Sequence, residues 1–95
     1  MPQNTNIQVP AGVWTMLTNQ NVSSVSVQNI AGYVVKLQAT SGVSAPTGIL
    51  GAIDLVPNGI FTAQYLLSDI WPGVSGANRV WAWSDIAAAV RVSHA

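Results

Sequence analysis

The sequence predicts an all-β fold, a single-domain antiparallel β-sandwich or small β-barrel of about seven or eight short strands, with room for one short helix near residues 62–70. The β-branched residues Val, Ile and Thr fill 26 of the 95 positions, which favours strands. Short segments alternate apolar with neutral polar side chains, as strands with one solvated face do. Turn residues separate these segments at intervals of about 8–12 residues, the spacing typical of sandwiches and small barrels.

The N-terminal segment, Asn4–Val9, alternates polar and apolar side chains and puts Ile7 and Val9 on one face. This pattern predicts either a short edge strand or an extended arm that adds a strand to the sheet of a neighbouring molecule. We therefore divide the chain into residues 1–10, the N-terminal arm or edge strand, and residues 11–95, a single β domain.

Three further segments of the first half alternate in the same way, namely residues 13–18, 23–30 and 33–40. The middle one is the most regular, with Val25 and Val27 facing inward between polar neighbours. Ala31-Gly32 is a turn signal, so we expect the second and third segments to form a short β-hairpin.

The second half begins with a loop-like stretch, Ser41–Thr47, that joins two halves of one domain. Pro57-Asn58-Gly59 predicts a turn, because proline fixes φ and the Asn-Gly pair tolerates positive φ. Residues 62–71 are ambiguous, since their apolar positions fit a helical stripe and a short helix competes with a strand. The remaining predicted strands are residues 48–56, 79–84 and 88–95.

Charge is nearly absent from the chain. Three Lys and Arg residues balance three Asp, and charged residues make up 6% of the sequence, against about 25% in ordinary domains. Three scattered cations cannot neutralise a phosphate backbone, so we expect no nucleic-acid partner. Apolar runs such as residues 30–35 fall far short of the roughly 18 residues of a spanning helix, so we expect no membrane partner. Copies with so little charge repel each other weakly, which predicts that the protein either aggregates or assembles.

The sequence predicts no catalytic residues, no metal site and no cofactor, and therefore a protein that is not an enzyme. Cysteine is absent and His94 is the only histidine, so the sequence offers no cluster of metal ligands. Nine serines leave a Ser-His-Asp triad combinatorially open, but no nucleophile-elbow motif accompanies them. Asp54, Asp69 and Asp85 stand in different contexts, where pairing with Lys36 or an arginine is the simpler role. We expect His94 to face solvent or a neighbouring subunit.

The four tryptophans, at positions 14, 71, 81 and 83, are the strongest functional signal. Trp81 and Trp83 are two residues apart in a predicted strand, so they share one face with Arg79. Three interpretations of the pair stay open, in this order: core for at least one ring, a protein interface, and a platform on which sugar rings stack. A sugar site would normally add converging acidic and amide groups, which Arg79 alone does not supply.

Two parts of the sequence carry a resemblance to known proteins. One is Trp71-Pro72-Gly73-Val74-Ser75-Gly76-Ala77-Asn78-Arg79-Val80-Trp81-Ala82 with the ending Val92–Ala95, and the other is Val13–Thr18 followed by the Val25–Asn29 segment. Together they resemble small virion proteins of tailed bacteriophages, which are short all-β proteins encoded among structural genes. Those with assigned roles are often capsid decoration, or cement, proteins. The resemblance implies a capsid-binding role and carries no catalytic residues.

The resulting hypothesis is a decoration protein on the capsid exterior of a virion, which stabilises the head by binding neighbouring subunits of the major capsid protein or another virion protein. We expect a homo-oligomer, with the trimer as the expected state, held by apolar contact and backbone hydrogen bonds. The alternatives are a tail, baseplate or head-fibre base component and, from another class, a carbohydrate-binding module that uses Trp81 and Trp83. The candidate interface residues are Ile7, Val9, Trp71, Arg79, Trp81, Trp83 and His94.

Overall fold

The structure, a computed structural model, describes residues 3–49 and 51–94. The described chain forms antiparallel strands and one short helix, which confirms the predicted all-β class. In chain order the elements are β1 (Gln3–Val9), β2 (Thr15–Met16), β3 (Ser26–Asn29), β4 (Val35–Thr40), β5 (Ile53–Leu55), β6 (Ile60–Phe61), α1 (Leu67–Ile70), β7 (Arg79–Trp83) and β8 (Ala88–His94).

The strands form two open antiparallel sheets. Sheet I has the strand order β1-β8-β3-β6, and sheet II has the order β2-β7-β4-β5. Each sheet ends in two edge strands, so the small-barrel alternative is wrong and the architecture is a sandwich. An isolated parallel bridge between Ala11 and Ser84 joins the chain just after β1 to the chain just after β7.

Most connections between the described strands cross from one sheet to the other. Only β4 and β5 are consecutive strands of the same sheet, and they pair from Val35–Leu55 to Leu37–Ile53. The hairpin predicted across Ala31-Gly32 is wrong, because β3 pairs with β6 and β8 whereas β4 pairs with β5 and β7. A turn signal predicts a reversal of the chain, but it does not specify the sheet in which the next strand finds its partners.

The N-terminal segment is an edge strand of sheet I, since β1 pairs with β8 of the same chain from Gln3–His94 to Val9–Ala88. The turn predicted at residues 57–59 is present, with Asn58 at a φ of 64°. Strand β6, which follows this turn, has no counterpart among the predicted strands. The ambiguous stretch 62–71 contains the short helix α1 rather than a strand.

The core lies between the two sheets and follows the alternation of the strands. β4 and β8 bury every second residue, and Val25 and Val27 are fully buried, as predicted. The buried hydrophobic cluster comprises Val9, Leu17, Val25, Val27, Val35, Leu37, Ala39, Leu55, Leu67, Trp71, Val80, Ala82, Ala88, Val90 and Val92.

Candidate interaction surface

Four loops meet at one end of the sandwich because the strands alternate in direction along the chain. β1, β3, β5 and β7 run toward this end, and the other four strands run away from it, as the antiparallel pairings and the Ala11–Ser84 bridge require. The loops that follow β1, β3, β5 and β7 therefore lie together. We call them the apical loops, and they comprise residues 10–14, 30–34, 56–59 and 84–87.

The apical loops present apolar side chains to solvent. Of the ten large hydrophobic residues that are exposed in the described part of the chain, five lie here, each between 43% and 57% exposed: Val13, Tyr33, Val34, Val56 and Ile86. Val34 and Val56 directly continue the β4–β5 pairing beyond Val35–Leu55, which places them side by side. Asp85 is the one charged residue in the four loops. Exposed apolar side chains gathered in one place with little charge are typical of protein interaction sites.

A buried asparagine at the end of β3 ties these loops to both sheets. Asn29 is fully buried, and its Nδ2 donates to the carbonyl oxygens of Tyr33 at 2.6 Å and Leu55 at 2.8 Å. Its Oδ1 accepts from the backbone N–H of Ala31 at 2.9 Å. Because Leu55 belongs to sheet II and Asn29 to sheet I, this one side chain fixes the crossing from β3 to β4.

Backbone hydrogen bonds hold the rest of the apical end. The Asn29 N–H donates to the Gly59 carbonyl at 3.0 Å, and the Asn29 carbonyl accepts from the Asn58 N–H at 2.8 Å. Farther along the same end, the Gly12 N–H donates to the Ser84 carbonyl at 2.8 Å. A loop whose backbone is already held in this way loses little conformational freedom when it binds a partner.

The seven residues predicted as an interface all lie outside the apical loops. Within the chain, Val9, Trp71, Trp81 and His94 are buried, and Ile7, Arg79 and Trp83 are half-buried. Val9 and Trp71 belong to the core between the sheets. His94 ends β8 opposite Gln3 of β1, at the other end of the sandwich from the apical loops.

Arg79, Trp81 and Trp83 share one face of β7, as predicted. It is the outer face of sheet II, since Val80 and Ala82 point into the core, and the three side chains differ in exposure. Trp81 is only 7% exposed, and its indole N–H donates to Oγ1 of Thr40 at 2.8 Å. The Nε of Arg79 donates to Oδ1 of Asn21 at 2.9 Å. Of the tryptophan pair, only Trp83 therefore has an accessible ring, and that ring is itself half-buried.

The ionisable groups are dispersed over the molecule. Lys36 and Asp54 face each other across β4 and β5 with Nζ 2.7 Å from Oδ1, which is one of the cross-strand pairings with Lys36 or an arginine that the sequence left open for the aspartates. Asp85 lies in an apical loop, Asp69 lies in α1 and His94 lies at the far end of β8. Among residues 3–49 and 51–94, no group of three or more His, Cys, Asp or Glu side chains is placed to hold a metal ion.

A depression of about 430 Å³ lies on the side of sheet II, away from the apical loops. Gln38, Thr40, Ser41 and Val74 are among the residues that line it, and none of the described lining side chains is ionisable. The depression thus lacks the groups that general acid–base catalysis requires.

Sequence reasoning did not single out Asn29 or the apical loops. Asn29 looks in the sequence like one more polar residue at a strand end, and its partner Leu55 is 26 residues away. The available signal was a set of large apolar residues within or beside turns, where small and polar residues are expected: Tyr33, Val34, Val56 and Ile86.

The chain is a β-sandwich whose apical loops expose five large hydrophobic side chains. No helix in the described part of the chain is long and apolar enough to cross a membrane. Comparison with known proteins found no matching family model, no matching curated protein and no matching solved structure.

Proposed function

We propose that the chain is a non-enzymatic capsid decoration protein of a tailed bacteriophage, which binds neighbouring capsid subunits through its apical loops. The observation that carries this proposal is the gathering of five exposed hydrophobic side chains in loops that contain a single charged residue. The resemblance of residues 13–18 and 71–82 to small virion proteins supports the major capsid protein, or another virion protein, as the partner.

Apolar contact supplies the free energy of this docking, at about 25 cal/mol for each Å² of apolar surface buried. Val and Ile side chains lose less rotamer freedom on ordering than Lys, Arg or Gln side chains do. The backbone beneath them is held before binding, since the Asn29 amide already bonds the carbonyls of Tyr33 and Leu55. Docking then orders a few short side chains and little else.

Retention on particles tests the proposal. Virus particles are produced from the genome that encodes this chain, and their heads and tails are purified separately. Binding of the wild-type chain to each is then compared with binding of the double variant Val34→Ser/Val56→Ser. We expect the wild-type chain to sediment with heads and the double variant to bind at least about tenfold more weakly, because two adjacent apical side chains lose their apolar contact.

Val43→Ser is the matched control, because Val43 is an exposed valine in a loop at the opposite end of the sandwich. Loss of head binding in the apical variant alone supports the proposal. Absence of the wild-type chain from the particles, or equal loss in the apical variant and the control, contradicts it. Wild-type chain found on tails instead of heads replaces it by the tail, baseplate or head-fibre alternative.

A further inference from the structure

Sheet I ends in a long edge strand without charge. β1 has seven residues, whereas the other described edge strands, β2, β5 and β6, have two, three and two residues. Short edges give other chains little to pair with, and long edges are usually protected by charged side chains or proline. The β1 sequence, Gln3–Val9, contains neither. Among the described edges it is therefore the one open to an added strand.

The hydrogen-bonding pattern of sheet I shows which β1 groups face this edge. The Ile30 N–H donates to the Ala89 carbonyl, so Ala89 and every second residue after it in β8 face β3. The intervening β8 residues face β1, and their partners in β1 are Gln3, Thr5, Ile7 and Val9. The β1 residues that direct their N–H and C=O groups outward are therefore Asn4, Asn6 and Gln8. The hydroxyl of Thr5 donates a long hydrogen bond, 3.4 Å, to the carbonyl oxygen of Asn6.

We infer that β1 pairs antiparallel with β1 of a second copy of this chain, so that two copies of sheet I form one continuous sheet around a two-fold axis at Asn6. This register opposes Asn6 to Asn6 of the second copy and Asn4 to Gln8 of the second copy. Every outward N–H then meets a C=O, as an antiparallel ladder requires. On the inner face, the half-buried Ile7 comes to lie beside Thr5 of the second copy.

The composition of β1 favours a second copy over a different partner. A residue on a two-fold axis lies opposite the same residue of the second copy, and like charges directly opposite each other destabilise a strand pair. The outward row of β1 consists of neutral amides, Asn4, Asn6 and Gln8, which donate and accept at once. The formal net charge of the chain is zero, so two copies do not repel each other at a distance. This contact is two-fold rather than three-fold, and it holds whether or not the chain is a virion component.

Sedimentation velocity of the full chain over a range of concentrations tests the pairing. The variants Asn6→Lys and Asn6→Asp each set two like charges against each other at the axis. Within one chain the new lysine also lies opposite Arg91 of β8, whereas the new aspartate faces that arginine with the opposite charge, so the aspartate variant separates loss of the dimer from a weakened edge strand. We expect the wild-type chain to dimerise and the dissociation constant of each variant to rise at least about tenfold. Gln64→Lys is the control with the same charge, because Gln64 is exposed just beyond β6 at the opposite edge of the sheet. It should dimerise like the wild-type chain.

A mixture of Asn6→Lys and Asn6→Asp chains tests the register, because a two-fold axis at this residue brings the opposite charges together. We expect the mixture to recover a dimer that the lysine variant alone does not form at the same concentration. A wild-type chain that stays monomeric, an Asn6→Lys variant that associates as strongly as the wild-type chain, or a mixture that recovers no dimer overturns the inference. The particle-binding experiment tests the apical loops, whereas the sedimentation experiment tests β1. Failure of one is therefore distinguishable from failure of the other.

Discussion

Asn29 is a buried side-chain amide whose donors and acceptor all have partners. Its Nδ2 bonds two backbone carbonyls, and its Oδ1 accepts from a backbone N–H. A buried polar group left without a partner costs about 1–3 kcal/mol, so complete pairing is what lets an amide lie in this core. The same pairing holds Tyr33, in the apical loop before β4, and Leu55, at the end of β5, and it therefore shapes the proposed docking surface.

Replacement of this residue tests its role. Asn29→Ala leaves the carbonyls of Tyr33 and Leu55 without their donor, and we expect it to lower the free energy of unfolding by about 2–4 kcal/mol in urea denaturation. Asn19→Ala makes the same change at an exposed asparagine and should stay within about 0.5 kcal/mol of the wild-type chain. A loss for Asn29→Ala as small as that of the control would contradict the role assigned to it.

At the level of single strands, the sequence predicts which side chains face inward better than it predicts which strands pair. Val25 and Val27 face inward because side chains alternate along any strand, which is a local rule. The pairing of β3 depends on contacts that are distant in sequence, such as the Asn29–Leu55 hydrogen bond, and the turn signal at Ala31-Gly32 contains no information about them.

The candidate site shows the same limit. Tryptophan and arginine concentrate at interfaces, which is why residue type pointed to Trp81 and Arg79. Whether a ring on a sheet face is accessible depends on what covers that face, and Trp81 is 7% exposed with its indole N–H bonded to Thr40. The apical loops, by contrast, can be recognised as one surface only when the directions of the strands are known.

The turn between β5 and β6 depends on a glycine at position 59. A Cβ at Gly59 would lie 2.9 Å from the Val56 carbonyl oxygen, a contact that the backbone cannot easily relieve. We expect Gly59→Ala to lower the free energy of unfolding by about 1–3 kcal/mol in urea denaturation. Gly32→Ala is the matched control in a neighbouring apical loop, because a Cβ at Gly32 meets no atom within 4 Å, and it should be close to neutral. Equal effects at the two glycines would count against this account of the turn.

Across the whole molecule, few charged groups are present to contribute to folding. Charged residues make up 6% of the sequence, and among the described residues Lys36 and Asp54 form an ion pair across β4 and β5. Its side chains are 27% and 59% exposed, and a pair so accessible to solvent contributes about 0–1 kcal/mol. The polar surface of the strands is built instead from hydroxyls and amides, which interact with partners over short distances only.

Low charge leads to a prediction about salt. At about 1 M NaCl the screening length falls to about 3 Å, which removes most interactions between exposed charges. Because the proposed contacts consist of apolar surface and backbone hydrogen bonds, the fraction of wild-type chain that sediments with particles should be unchanged in this wash. Release of the chain at moderate salt would show that ion pairs hold it instead.

The most direct test of the central claim is an electron cryomicroscopy reconstruction of the particle assembled from the genome that encodes this chain. The account predicts density for the sandwich on the exterior of the head, with the loops that carry Val34 and Val56 against the capsid. A head without this density, or a sandwich whose apical loops face solvent, would contradict it.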